Sequence, residues 1–347
     1  MYIPQDELLA PLPPLLPGNT PAEWRRRRQE ILDLVVDLEY GGMPPQPETL
    51  TVEQLHMAGR AGLATYKIHI DRVFSFTLQL FMPAAEGKRP VVLTGDGCYK
   101  KCSGEVIAEA NRRGFIVAKF NRTEFAHDMY NTRREGGIYD LYPGRTFGAI
   151  AAWAWGYSRA MDALERIGCA DTSRVGITGH SRGGKTVLLA GAADERFAFV
   201  NPNNSGCGGA GCYRYHTRFD EVPTGKDAKS ETLADILRSV PYWFGPKLKD
   251  YVDREAALPF DQHFLKACVA PRVLVQTESL GDTWSNPAGS YLTYKAAREV
   301  WTLLGAPEKI LYRACDGGHD HRPSDFRVLF DVMEGGDGML PGYVSER

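Results

Sequence analysis

From Pro90 to Cys315 the chain repeats one pattern, a short apolar run followed by a longer stretch with helical spacing. The apolar runs are VVLTGDG, FIVAKFN, RVGITGH, FAFVNPN, RVLVQTE and KILYRAC. Runs without polar alternation read as strands buried on both faces, as in a parallel sheet. The stretches GEVIAEANRRG, TFGAIAAWAWGYSRAMDALERIG, GGKTVLLAGAADE, GSYLTYKAAREVWTLLG and SDFRVLFDVME read as helices. This alternation predicts a doubly wound, mostly parallel α/β sheet sandwiched by helices. Upstream, residues 49–82 alternate and are rich in β-formers, which predicts antiparallel strands at one edge. The segment PAEWRRRRQEILDLVVDLEYG reads as a helix with Ile31, Leu32, Leu34, Val35 and Leu38 on its apolar stripe and Arg25–Arg28 on a solvated face. One domain over residues 1–347 is expected. It comprises an N-terminal wrap and helix (1–48), the sheet, and an aromatic, basic insertion (206–259) that breaks the alternation after the apolar run FAFVNPN, the strand that follows RVGITGH. An insertion at the carboxyl end of a sheet strand reads as a substrate wall or lid.

Composition narrows the function by exclusion. Among 347 residues, 43% are hydrophobic, enough for a large core, and 41 basic residues face 43 acidic ones for a net charge of −2. No global field favours nucleic acid or an anionic membrane, and no apolar run is long enough to span a bilayer. Seven scattered cysteines read as reduced thiols, and their spacings lack the paired Cys/His pattern of a zinc site. No metal or cofactor is expected. The N-terminus lacks a secretory pattern, so the chain as given reads as cytoplasmic, and a chain trimmed of its signal would be extracellular or periplasmic and look the same.

The stretch GHSRGGKT, Gly179–Thr186, matches two motifs. Read as G-x-x-x-x-G-K-[ST] it is a phosphate-binding P-loop, and read as G-x-S-x-G it is a nucleophile elbow on Ser181. A P-loop protein also needs a magnesium-holding acid at the end of an apolar strand, and neither Asp96 nor Asp316 follows a clean apolar run. A serine hydrolase of the α/β-hydrolase type needs an acid and a histidine after later strands, in the order Ser, acid, His. A serine hydroxyl is a poor nucleophile until a base takes its proton, and the base needs a carboxylate to fix its tautomer. Asp282, with Glu278 as a rival, follows RVLVQTE, and His319 and His321 follow KILYRAC. The hydrolase reading is therefore preferred, with His180 read as structural and His263 left open.

The neighbours of Ser181 suggest a polar acyl group. Arg182 is placed to stabilise an oxyanion, Lys185 lies one helical turn on, and Trp284 offers a flat wall to a sugar ring. The stretch VGITGHSRGGKTVLLAGAADERFAFVNPNNSGCGGAG resembles the glucuronoyl esterases of carbohydrate esterase family 15. The resemblance continues through WAWGYSRAMDALE, the segment from ALPFDQHFLKACVAPRVLVQTESLGDTW onward, and GGHDHRPSDF. It implies an α/β-hydrolase that cleaves esters between 4-O-methyl-glucuronic acid and alcohols of lignin through an acyl-enzyme. Carried over by position, Ser181 would be the nucleophile, His319 the base and Arg182 an oxyanion donor, with Lys185 and Trp284 in the sugar pocket. Some family members carry the acid where this chain has Asn204, and others in a D-x-W pattern matched by Asp282-Thr-Trp284, which favours Asp282. Glu221 is the nearest candidate for a sugar-binding glutamate, and Gln262 and His263 are further pocket candidates. The expected partner is a small-molecule or oligosaccharide uronate ester, with no nucleic acid or membrane. An acetyl or feruloyl esterase, or a nucleotide-binding protein, are the competing readings.

Overall fold

The computed structural model describes residues 8–16, 18, 20–59, 62–129, 134–218 and 228–345. Helix α1 (Pro21–Val35) starts at a capping box in which Thr20 and Glu23 satisfy each other's backbone amides. It runs into a π-helical turn, Val36–Tyr40. Trp24, Ile31 and Val35 form its buried face. Not all of the arginine run is solvated, however. Arg28 donates to the carbonyls of Cys268 and Ala192 at 2.9 and 2.7 Å, so it ties this helix to the body of the protein.

Strands β1 (Leu50–Met57), β2 (Gly62–Ile70) and β3 (Phe74–Met82) form the antiparallel edge. Then come β4 (Arg89–Thr94), α2 (Gly104–Arg112), β5 (Ile116–Phe120), α3 (Ile138–Leu141), α4 (Ala149–Ile167), β6 (Ala170–His180), α5 (Arg182–Ala193) and β7 (Phe199–Asn203). After the insertion, which carries α6 (Leu233–Ser239), follow α7 (Gln262–Ala267), β8 (Val273–Ser279), α8 (Pro287–Leu303), β9 (Ile310–Cys315), α9 (Pro323–Met333) and β10 (Tyr343–Val344). Among the described residues, ten strands enter one sheet in the order β1-β2-β3-β5-β4-β6-β7-β8-β9-β10. The pairings from β5 across to β9 are parallel, while β3 with β5 and β9 with β10 are antiparallel.

Alternate residues of the parallel strands point into different cores. Val91, Leu93, Ile116 and Ala118 face the larger one, built with α4, α5, α7 and α8. Val92, Val117 and Val275 face the smaller one, built with Val106 of α2 and Phe326 and Phe330 of α9. This two-sided burial is the physical reason for the apolar runs in the sequence. From β4 the chain steps to β5 on one side and then to β6 on the other. Such a switch opens a crevice beyond the strand C-termini, where ligands of α/β sheets bind.

Candidate active site

Ser181 sits in that crevice, between the end of β6 and the first turn of α5. Its φ of 56° and ψ of −117° are strained for a residue with a side chain, and its amide donates to the Asn203 carbonyl at 2.9 Å. The sharp turn brings the two arms so close that a Cβ on Gly179 would lie 2.5 Å from the Gly183 carbonyl oxygen. This conformation is the nucleophile elbow. The P-loop reading fails on Lys185, which is buried and donates to the carbonyls of Ser205 and Cys207 at 2.5 Å each, instead of pointing at a phosphate site.

The loops after β8 and β9 bring a carboxylate and an imidazole to the same place. His319 Nδ1 lies 2.6 Å from Asp282 Oδ2 and 3.1 Å from Ser285 Oγ. Because Nδ1 is engaged there, Nε2 is the nitrogen left for Ser181. His319 and Ser181 share the walls of two adjoining cavities, of about 300 and 200 Å³. Burial raises the Asp282 carboxyl, but the hydrogen bond and charge of His319 and the bonds from Ser285 outweigh it and hold it below its usual value. It is therefore ionised where a histidine base works.

The rival residues are placed elsewhere. Glu278 is fully buried, takes a 2.8 Å bond from Gln276, and is pushed up to about 8 by burial. His321 is 3% exposed and stacks on Phe326 with ring centroids 4.0 Å apart. Asn204, with a φ of 42°, braces the site: it donates to the Asp320 carbonyl at 2.9 Å and accepts from the Ser279 amide at 2.7 Å.

Arg182 is held beside the nucleophile by a 2.7 Å bond to Asp128, and its guanidinium lies over the Trp243 ring at 4.8 Å. Asp128 also accepts from Tyr242 and Trp243 of the insertion. Behind the turn, Asp96 accepts the His180 amide at 2.9 Å and pairs with the buried Arg122.

The larger cavity is lined by Lys185, Glu231, Trp243, Trp284 and Ser285 besides Ser181, Arg182 and His319. Burial lowers the Lys185 pKa, and the Glu231 carboxylate 3.9 Å from its ammonium counters that effect. Of the sequence-derived sugar-pocket residues, Lys185 and Trp284 are here. Glu221 lies outside the described residues. Gln262 and His263 do not line this cavity. They open α7 beneath the N-terminal wrap, Gln262 donating to Glu39 at 3.0 Å and His263 contacting the Pro13 carbonyl at 3.0 Å. Burial pushes His263 down to about 4.

Sequence reading missed Glu231 and Ser285. A signal for Glu231 was present: Thr232 and Asp235 form a capping box, which places Glu231 at the entrance of α6. Its amide donates to the Trp284 carbonyl at 3.0 Å, tying the insertion to the acid-bearing loop. Among the described residues, no group of three or more His, Cys, Asp or Glu side chains could hold a metal ion.

A doubly wound sheet with a serine at a strained strand–helix turn, and an acid and histidine after later strands, defines an α/β-hydrolase. Within that class the chain belongs to the glucuronyl esterase family, since residues 68–305 match the family model described as glucuronyl esterase, fungi. A 4-O-methyl-glucuronoyl methylesterase of Podospora anserina is 32% identical over 311 residues, covering 86% of this chain and 60% of that protein. The chain thus spans about 60% of the length of the curated relatives it matches first. A solved glucuronoyl esterase from Solibacter usitatus superposes with a TM-score of 0.82 at 28% identity, covering 97% of this chain and 100% of that one. A serine-to-alanine mutant of the Sporotrichum thermophile enzyme, solved with methyl 4-O-methyl-β-D-glucopyranuronate, gives 0.77 at 26% identity, covering 97% and 90%.

Proposed function

We propose that this protein is a serine carboxylic ester hydrolase acting on esters of 4-O-methyl-glucuronic acid. The observation that carries the reading is the 2.6 Å Asp282–His319 bond at the wall of a cavity that Ser181 and Arg182 share with Lys185 and Glu231. The names of the relatives supply the substrate class.

His319 Nε2 takes the Ser181 proton as Oγ attacks the ester carbonyl, and Asp282 steadies the resulting imidazolium. Negative charge on the tetrahedral oxygen falls to the Arg182 guanidinium, which Asp128 and Trp243 hold in place before the reaction begins. His319 then protonates the departing alcohol, leaving a uronyl ester on Ser181. A water activated by the same histidine releases the acid. Lys185 and Glu231 offer a donor and an acceptor to the sugar hydroxyls, and Trp284 an apolar wall to its ring.

The test is methanol release from methyl 4-O-methyl-glucuronate. Ser181→Ala should lower kcat by roughly 10⁴-fold or more. A Ser181→Ala protein with wild-type turnover would end the mechanism.

A further inference from the structure

His319 has a weak mechanical support for a base. Both of its hydrogen bonds, to Asp282 and Ser285, converge on Nδ1. They fix the position of that atom but not the rotation of the ring about it. The side chain is 42% exposed, and it rises from a loop whose Gly317 has a φ of 147°. Something else must set the plane of the imidazole.

The ring that does so belongs to the residue before the nucleophile. His180 lies with its centroid 4.5 Å from that of His319, the planes tilted by 47°. Behind His180 the ring of His321 stacks at 5.9 Å and 22°, and behind His321 comes Phe326 at 4.0 Å and 18°. The four rings make a column from the open cleft to the core under α9. His180 itself is locked in turn. Asn203 donates through Nδ2 to Thr277 Oγ1 at 3.0 Å, which leaves its Oδ1 to accept from His180 Nδ1 at 2.6 Å. The backbone of His180 is held as well, paired with Asn203 across the sheet and donating to Asp96. Burial, with the charge of His319 second, pushes His180 down to about 4. The platform is therefore neutral at ordinary pH and does not oppose the charge the base acquires. The column also accounts for His321, whose Nε2 is buried without a hydrogen-bond partner: its ring is retained as a spacer between His180 and Phe326.

We propose that His180 is the positioning residue of the base, its ring backed by His321 and Phe326 and holding the His319 imidazole with Nδ1 on Asp282 and Nε2 towards Ser181. The proposal rests on the reading of His319 as the base. It turns the side chain next to the nucleophile from a filler of the core into part of the catalytic alignment, acting through His319 and not on the substrate.

Two substitutions separate the ring from its hydrogen bond. His180→Phe keeps a ring and loses the donor to Asn203, whereas His180→Asn keeps a donor near the Nδ1 position and loses the ring. With methyl 4-O-methyl-glucuronate, the phenylalanine variant should keep kcat within about fivefold of wild type. The asparagine variant should lose about 10- to 100-fold in kcat with KM within about twofold, the cost of a misplaced catalytic group. Equal losses in both, a loss confined to the phenylalanine variant, or wild-type rates in both would overturn the proposal. If circular dichroism shows the asparagine variant unfolded, His321→Leu carries the test, since it removes support behind the platform without touching the base. It should lower kcat and leave KM, and an unchanged kcat would overturn the proposal. Failure of the underlying reading looks different, because the wild type itself would then release no methanol, or would do so without Ser181.

Discussion

Asp282 and Glu278 stand four residues apart, and their environments push them in opposite directions. The first is held below the usual carboxylate range by His319 and Ser285, while the second is raised to about 8 by burial. Paired acids separated in this way have different roles, and sequence alone left both open because spacing says nothing of burial. A third acid, Glu39, shows the consequence for stability. It is fully buried behind the insertion, bonded by Tyr213 and Gln262, and raised from 4.5 to about 7, with burial the largest cause. The folded state therefore holds a proton that the unfolded chain releases near 4.5. The stability this contributes is fully present below pH 4.5 and is lost as pH rises through 7. His180 and His263, lowered to about 4, act with the opposite sign: their contribution is present above 6.5 and lost as pH falls through 4. Glu39→Gln should thus be no more stable than wild type at pH 4.5, and more stable by up to about 3 kcal/mol at pH 8. Urea titrations at the two values read this directly, and a variant equally or less stable at pH 8 would show that the buried carboxyl carries no such cost.

At the scale of elements, the strands and long helices were legible because the parallel sheet is buried on both faces and its helices are long. The acid and histidine loops were legible too, since crossover topology fixes which strand ends meet at the crevice. The insertion was not. Its short helix α6 and its 3₁₀ turns carry too little periodicity to set a register, so Glu231 was missed. Gln262 and His263 were misplaced for a related reason: polar residues at the start of a short helix look like pocket residues until the N-terminal wrap is seen to cover them. The join between β6 and α5 shows how tightly elements set the site. A Cβ on Gly183 would stand 2.4 Å from Asp96 Oδ1. Gly183→Ala must displace Asp96, which holds the His180 amide. It should cost about 1–3 kcal/mol of stability and lower kcat more than it raises KM. Unchanged thermal stability and kcat would mean that the close approach is not required.

The whole molecule divides its labour between sheet and insertion. The sheet delivers Ser181, Asp282 and His319 from the ends of β6, β8 and β9, and in the proposed mechanism any ester could use them. Selectivity has to come from what the insertion adds over them: Glu231 beside Lys185, and Trp243 beneath Arg182. That arrangement has donors and acceptors for sugar hydroxyls. A site built to hydrogen-bond a substrate's hydroxyls rejects analogues that lack them. The most direct measurement is therefore the ratio of kcat/KM for methyl 4-O-methyl-glucuronate to that for a methyl ester of similar size without sugar hydroxyls, each corrected with Ser181→Ala. The expected result is a preference for the uronate of at least about 100-fold. Equal rates, or a preference for the ester without hydroxyls, would contradict it.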